Sequence, residues 1–269
     1  MIGKPVQMML LAAAVMTAPA AELTQTEREA FLRNARFVST KTLGMGVTQS
    51  RKAVMEDGTI QHAAHIQSIN EAKASFQTVR GTELNFRDSY KYNVAAYELA
   101  KLIGLDYMVP PSVERKAPGG MGAVTWWVDD VAFTDLERRK QKVEPPDMNK
   151  WNKQMNIVHV FDQLIYNTDR NLGNLLITKD WKLWMIDHTR AFRTFRHCPD
   201  MRMLRQIDSE LLTRIRNLDG ATVVQVLKPY LTKMEIDGLL ARKDAIVGFF
   251  DKQIAAQGQA AVVYEWARL

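Results

Sequence analysis

Three short runs in the first part of the chain alternate between apolar and polar residues, which is the two-residue period of a half-buried strand. The runs are residues 37–42, 51–55 and 59–69, and Gly44-Met45-Gly46 and Asp57-Gly58 separate them. Strands joined by tight turns pair antiparallel, so we predict a small antiparallel sheet. Gly44 and Gly46 in its first connection would let the backbone approach phosphate groups, although most such glycine pairs form simple turns.

A helix is predicted after this sheet. Apolar residues recur at helical spacing from Ala95 to Leu102. Asp88 or Ser89 is a suitable N-cap, and Gly104 is a suitable stop because glycine adopts the left-handed conformation that commonly ends a helix.

The remaining periodic segments divide the chain into a sheet-rich part and a helical part. A second hairpin is predicted from residues 108–115 and 123–129, and further helices from residues 22–34, 209–218, 221–231, 235–240 and 244–254. We expect the Trp126-Trp127 pair to pack in the core rather than to form a cofactor platform. The charged, proline-containing residues 131–147 are interpreted as a connection. The expected division is an N-terminal sheet lobe at 21–133 and a C-terminal helical lobe at 134–269, with the boundary near Phe133.

Residues 167–187 predict a polar loop followed by a short hairpin. An apolar run, a turn and an alternating run ending at Ile186 form the hairpin pattern. An apolar-periodic helix containing Ile157 and Phe161 precedes the loop. The hairpin would fold Asp187 back toward Asn174.

Asp169, Asn174 and Asp187 are the candidates for chemistry in this segment. Asn174 follows Asp169 by five residues and Asp187 follows it by eighteen. Protein kinases use this spacing for the catalytic base, a metal-binding Asn and a metal-binding Asp. The alternative is a polar turn without chemical function between a helix and a hairpin.

The composition is that of a globular, positively charged protein. The chain has 269 residues, 46% of them hydrophobic, and a formal net charge of +6 at pH 7. This charge suits nucleotide phosphates, nucleic acid or an anionic surface. The basic residues are scattered without a basic helix carrying interleaved aromatic residues, so we expect no nucleic-acid partner. Cys198 is the single cysteine, which excludes an intramolecular disulfide.

Residues 1–20 have the pattern of a signal peptide. Lys4 is followed by an apolar stretch and then by Ala18-Pro19-Ala20, the small-residue pattern of a cleavage site. The apolar stretch has about nine residues, too few to span a bilayer, so we expect no stable membrane anchor. The prediction is export to the periplasm, the secretory lumen or the medium after cleavage. The alternative is an N-terminus that is merely apolar.

The chain resembles the atypical kinase-like fold shared by the inositol-lipid kinases, the HipA-type kinases and the secretory-pathway kinases. Residues 167–174 are similar to their catalytic loop, residues 186–192 to their metal-binding segment, and residues 92–110 to a helix and strand of their first lobe. The resemblance extends over residues 37–195. It implies an α+β, two-lobed protein kinase-like fold, in which a small antiparallel sheet lobe with one main helix precedes a mostly helical lobe.

The resemblance also implies ATP and Mg²⁺ as cofactors. Asp169 would orient or deprotonate the acceptor hydroxyl, while Asn174 and Asp187 would hold Mg²⁺ against the nucleotide phosphates. Arg170 would either contact a phosphate or pair with a structural carboxylate.

Gln67 and Asn93 depart from the pattern of this group. They occupy the positions where its members have a phosphate-binding Lys and a Glu that pairs with it. The two amides could hydrogen-bond to each other and to a phosphate oxygen, with less electrostatic strength than a charged pair. Glu98 lies about 140° round the helix from Asn93 and cannot replace it. Lys73 could supply the missing charge if its segment folds inward.

Three functions are considered for these residues. The first is a Mg²⁺- and ATP-dependent phosphotransferase that acts on a hydroxyl of a protein, a lipid or a small molecule, and the retained Asp169, Asn174 and Asp187 favour it. The second is a nucleotide-binding pseudokinase that acts as a scaffold or regulator, which Gln67 and Asn93 favour. A third, nucleotidyl transfer with ATP bound in reverse, follows if the altered pair no longer fixes the nucleotide.

Overall fold

The computed structural model describes residues 23–44, 50–78 and 81–267. Its helices are α1 (Gln25–Asn34), α2 (Lys91–Ile103), α3 (Asp135–Lys140), α4 (Met148–Ile165), α5 (Ser209–Arg216), α6 (Gly220–Leu227), α7 (Lys233–Gln257) and α8 (Gln259–Val262). Its strands are β1 (Arg36–Thr42), β2 (Arg51–Glu56), β3 (Gln61–Gln67), β4 (Asn70–Thr78), β5 (Gly81–Ser89), β6 (Ser112–Ala117), β7 (Gly120–Trp126), β8 (Val131–Thr134), β9 (Leu175–Thr178), β10 (Leu183–Met185), β11 (Ile207–Asp208) and β12 (Val263–Tyr264). The predicted signal peptide and Gly46 lie outside the described residues.

A five-stranded antiparallel sheet in the order β1-β2-β3-β7-β6 contains the three predicted strands and the predicted second hairpin. One face packs against α1, which begins after Thr24 because Thr24 and Glu27 form a capping box. The residues buried between them include Phe31, Leu32, Met55, Ile66 and Trp126. Trp126 is therefore a core residue, as expected, whereas Trp127 is only partly buried and belongs to no hydrophobic core cluster of the described residues.

The opposite face of this sheet packs against α2. Side chains alternate along a strand, so His65 and Gln67 of β3 share this face with Lys52, which is opposite His65 on β2. Val94 of α2 packs against Ala123 of β7 on the same side. The Lys52 ammonium lies 3.9 Å from the centre of the Trp127 ring.

The start of α2 differs from the prediction and its end agrees with it. Asp88 and Ser89 are the last residues of β5, and the N-cap position is Tyr90, which makes no side-chain capping bond. The Ser89 hydroxyl nevertheless accepts from the amide of Lys91, the first residue of α2, over 3.3 Å. The prediction therefore holds for the bond that Ser89 makes and is wrong for Asp88. Gly104 ends α2 in the left-handed conformation with φ of 72°.

The β4–β5 hairpin was not predicted from the sequence. It follows β3 and precedes α2 in the sequence, and it forms a separate two-stranded sheet. Most side chains of β4 are exposed on both faces, so its sequence lacks the alternating apolar pattern of a half-buried strand.

The second part of the chain is mostly helical. The predicted hairpin is present as β9 and β10, and β8 adds a third strand to it. Residues 131–147, interpreted as a connection, contain β8 and α3, and the boundary near Phe133 stays a prediction. The two helices predicted at 235–240 and 244–254 are one helix, α7.

No helix among the described residues is long and apolar enough to cross a membrane. The architecture is α+β, a sheet lobe followed by a helical remainder.

Candidate active site

Asp169 lies in a loop that begins where α4 ends. Tyr166 ends α4 in the left-handed conformation with φ of 51°. The Asn167 side-chain amide donates to Asp162 Oδ1 over 3.0 Å, and the Asn167 side-chain oxygen accepts from the Asp169 amide over 3.0 Å. The Asp169 carboxylate has no hydrogen-bond partner among the described residues. The loop is thus held by its neighbours while its carboxylate stays available to a ligand.

Arg170 pairs with a structural carboxylate, which decides between the two roles expected for it. Its Nε lies 3.0 Å from Asp162 Oδ2, and both side chains are largely buried. Its Nη1 donates to the carbonyl oxygens of Asn174 and Ile186, over 2.8 and 2.9 Å. Arg170 therefore joins α4 to both ends of the β9–β10 hairpin.

Asn174 and Asp187 are brought together by the pairing of β9 with β10. Leu175 is opposite Met185, and the Ile186 amide donates to the Asn174 carbonyl over 3.1 Å. The Asn174 side-chain amide donates to the Asp169 carbonyl over 3.1 Å, so its side-chain oxygen is the atom left for a ligand.

Asp187 has a left-handed backbone, with φ of 53°. This conformation is uncommon for residues other than glycine and tends to occur at functional sites. One oxygen of its carboxylate accepts from the Thr189 hydroxyl over 3.0 Å. The other oxygen has no hydrogen-bond partner in the described part of the chain.

Gln67 and Asn93 make the contact that their positions suggested. Asn93 Nδ2 donates to Gln67 Oε1 over 2.7 Å, and Asn93 Oδ1 accepts from the His188 amide over 2.7 Å. One side chain therefore connects β3, α2 and the residue that follows Asp187. Gln67 is 1% exposed, and its Nε2 has no partner within the described residues.

Lys73 does not replace the missing lysine. It is a half-exposed residue of β4 whose Nζ lies 2.6 Å from Glu71, and its ammonium is 4.9 Å from the centre of the Phe76 ring. Gly44 follows β1, and no atom of the described residues lies within 4 Å of the position that a Cβ would occupy there. Gly46 cannot be placed beside it, since it is outside the described residues.

Two further titratable residues belong to the surroundings of Asp187. Burial raises the pKa of Asp88, the nearby Thr189 hydroxyl lowers it, and the charge of Asp187 raises it again. Burial lowers the pKa of His65, against the opposing effect of Asp187. The sequence pattern gave Asp88 only the role of a helix cap. His65 could have been found, because the two-residue period of β3 places it on the face of Gln67.

The free oxygens of this site suit a hard cation. Mg²⁺ prefers oxygen ligands and is usually bound in proteins by one or two carboxylates together with substrate phosphates. No group of three or more His, Cys, Asp or Glu side chains able to hold a metal occurs among the described residues. A metal here would use Asp187 with the amide oxygen of Asn174, and these donors fit Mg²⁺.

Comparison with solved structures identifies the architecture. The structure of hydra Fam20 with sugar matches over 89% of this chain and 92% of that chain, with a TM-score of 0.64 and 14% sequence identity. The chain has an atypical kinase-like fold. The proinflammatory kinase CtkA of Helicobacter pylori matches over 78% of this chain and 91% of that chain, with a TM-score of 0.42 and 10% identity. No family model and no curated protein matches the sequence.

Proposed function

We propose that this kinase-like chain is a Mg²⁺- and ATP-dependent phosphotransferase. It transfers a phosphoryl group to a hydroxyl of a protein, a lipid or a small molecule. The observation that carries the proposal is the convergence of Asp169, Asn174 and Asp187, each with a side-chain oxygen that has no partner among the described residues. The hydra structure contains a sugar, so sugar hydroxyls belong among the acceptors to be tested.

Asn174 and Asp187 would hold Mg²⁺, which neutralises phosphate charge as transfer proceeds. Asp169 orients the acceptor hydroxyl and accepts its proton as the new oxygen–phosphorus bond forms. Phosphoryl transfer through a loose transition state depends on positioning more than on covalent chemistry. The hydrogen bonds that fix Asn167, Arg170 and Asn174 supply this positioning.

The Nε2 of Gln67, which is without a partner in the described part of the chain, would donate a hydrogen bond to a phosphate oxygen. Its other side-chain atom is already held by Asn93, so the amide is oriented before a ligand arrives. A neutral donor is weaker than an ammonium, which makes nucleotide affinity more dependent on the divalent metal. Gly44 would let the backbone that follows β1 approach the phosphates. The same role for Gly46 rests on the sequence pattern alone.

The second candidate is a pseudokinase that binds nucleotide and acts as a scaffold or regulator. The Gln67–Asn93 hydrogen bond favours it, because both side chains are neutral where the kinases that the chain resembles have a charged pair. Both candidates use the same metal ligands and differ only in whether transfer occurs.

Intact mass measurement after incubation with Mg²⁺-ATP and candidate acceptors separates the candidates. Phosphoryl transfer adds about 80 Da and adenylylation about 329 Da to the modified molecule. We expect the smaller increment with the parent protein and none with Asp169→Asn, which should keep its nucleotide affinity within a few-fold. Nucleotide binding without a mass change supports the pseudokinase. Equal transfer by Asp169→Asn contradicts the assignment of the base.

Calorimetry tests the metal ligands. Asp187→Ala should abolish Mg²⁺-dependent binding of ATP, because it removes the carboxylate that holds the cation. ATP affinity that is independent of Mg²⁺ and unchanged in Asp187→Ala contradicts the proposed site.

We also propose that the protein is exported after cleavage behind Ala20. The support is the sequence pattern of residues 1–20 alone. N-terminal sequencing of the natural protein should find a start near Ala21. An intact Met1 on cytosolic protein contradicts export.

A further inference from the structure

The β4–β5 hairpin contacts the segment that follows Asp187 through one carboxylate. Glu83 of β5 forms ion pairs with both Arg190 and Arg193. The Arg193 side chain is nearly buried, and its Nη1 donates to the Arg87 carbonyl over 3.0 Å. The guanidinium of Arg190 also lies 4.9 Å from the centre of the Phe86 ring.

These contacts are close in sequence to the candidate metal ligand. Arg190 follows Asp187 by three residues, and between them the Thr189 carbonyl accepts from the Ser89 amide over 2.9 Å. Attachments at Thr189, Arg190 and Arg193 thus join β5 to this segment. The hairpin pairs with no other strand among the described residues, and an isolated two-stranded hairpin is marginally stable in water. Glu83 is therefore one of the residues that attach the hairpin to this segment.

Removing the carboxylate of Glu83 should destabilise this contact, because its ion pairs are only partly exposed. The side chains of Glu83 and Arg190 are 23% and 21% exposed, and that of Arg193 is 6% exposed. Exposed ion pairs contribute little, but removing one partner of a largely buried pair leaves an uncompensated charge. Burial lowers the pKa of Arg193 and Glu83 opposes this shift. An arginine guanidinium stays protonated in proteins, so without Glu83 the largely buried charge of Arg193 would be left uncompensated.

We propose that Glu83 is a positioning residue for the metal site. It holds residues 188–193 against the β4–β5 hairpin and thereby fixes the left-handed backbone of Asp187 and the direction of its carboxylate. This rests on the proposed function insofar as Asp187 binds the metal. The ordering of the segment itself is independent of that role.

Hydrogen exchange of the metal-free protein tests the ordering. The amides of Ala191 and Phe192 donate to the carbonyls of His188 and Ile165 and should exchange slowly in the parent protein. Glu83→Gln should accelerate their exchange about tenfold while the amides of β9 and β10 keep their rates, and Glu83→Asp should recover part of the protection. Glu71→Gln is the matched control, since it removes a carboxylate from the same hairpin at a residue paired with Lys73.

The salt dependence of amide exchange distinguishes loss of the Glu83 ion pairs from a general loss of structure. High salt should accelerate exchange at Ala191 and Phe192 in the parent protein and change little in Glu83→Gln, because the partly exposed pairs are screened. Unchanged exchange in Glu83→Gln overturns the proposal. Uniform acceleration throughout the protein, with a matching fall in melting temperature, also overturns it.

Titration with Mn²⁺ followed by electron paramagnetic resonance tests the link to the metal. Glu83→Gln should weaken Mn²⁺ binding several-fold, Asp187→Ala should abolish it, and Glu71→Gln should leave it unchanged. Faster segment exchange with unchanged Mn²⁺ affinity overturns the positioning role. If the parent protein binds no Mn²⁺, the proposed function fails and the role of Glu83 at the metal site fails with it. The exchange result would still show whether Glu83 orders residues 188–193.

Discussion

Asn93 connects three parts of the candidate site through one side chain. Its two polar atoms are both used, one toward Gln67 and one toward the His188 amide. A carboxylate at this position would keep the contact to His188 and lose the donor toward Gln67. The identity of residue 93 is therefore tied to the identity of residue 67.

A double-mutant cycle measures this dependence. Gln67→Lys together with Asn93→Glu should be tolerated better than either single change, because each new charge neutralises the other in a buried place. We expect a coupling on the order of 1 kcal/mol or more. Thermal melting of the four proteins, with and without Mg²⁺-ATP, gives the value. Strict additivity would show that the two side chains do not interact.

Cys198 is a buried thiol with an altered acidity. Burial raises its pKa from 9.0 to about 11, so the nucleophilic thiolate is scarce at pH 8. We expect a thiol reagent at pH 8 to leave the native protein unmodified and to label one site per chain after denaturation. Rapid labelling of the native protein would mean that Cys198 is accessible.

At the scale of elements, α7 holds the loop that follows the candidate metal segment. Arg242 of α7 is fully buried, and its Nε donates to the Leu164 carbonyl over 2.8 Å. Its Nη1 donates to the carbonyls of Arg193 and Phe195. Burial lowers its pKa to about 10, so it is charged at neutral pH. The end of α4 and the segment beyond Asp187 are thus attached to one guanidinium.

Arg242→Lys should be destabilising, because an ammonium on an unbranched stem cannot reproduce the planar fork that serves these carbonyls. A loss of about 3 kcal/mol is expected, since buried acceptors are left unsatisfied. Urea denaturation gives the change in free energy of unfolding. Lys252→Met on the exposed side of α7 is the control. An unchanged midpoint in Arg242→Lys would show that the carbonyls find other donors.

Local chemistry made some elements predictable. Gly104 ends α2 by its backbone freedom, and the alternation of β9 and β10 places Asn174 beside Ile186 before any tertiary contact is considered. The β4–β5 hairpin was missed because its attachment depends on Glu83 meeting Arg190 more than one hundred positions later. The continuity of α7 was missed because Arg242 and Lys243 resemble a polar break, and only remote carbonyls explain why Arg242 is buried.

At the scale of the whole molecule, the candidate site combines residues of the sheet lobe with residues of the helical part. The sequence pattern of each segment alone does not indicate that these residues lie close together. The spacing of Asp169, Asn174 and Asp187 was visible in the sequence, and so was the substitution of amides at Gln67 and Asn93. Their roles as base, metal ligands and phosphate donor stay predictions. The surroundings, including Asp88 and Arg193, depend on contacts between distant segments and could not be predicted.

The Nε2 of Gln67, which has no partner among the described residues, links folding to ligand binding. A buried donor without an acceptor costs about 1–3 kcal/mol of stability, and an oxygen that accepts from it recovers this free energy. Any small oxyanion that reaches this atom should therefore raise the melting temperature. Once the oxyanion concentration exceeds its dissociation constant, the gain in stability grows with the logarithm of that concentration. A fold that is stabilised by what it binds is more resistant to proteolysis when its ligand is abundant, so the ligand supply would also set how long the protein persists.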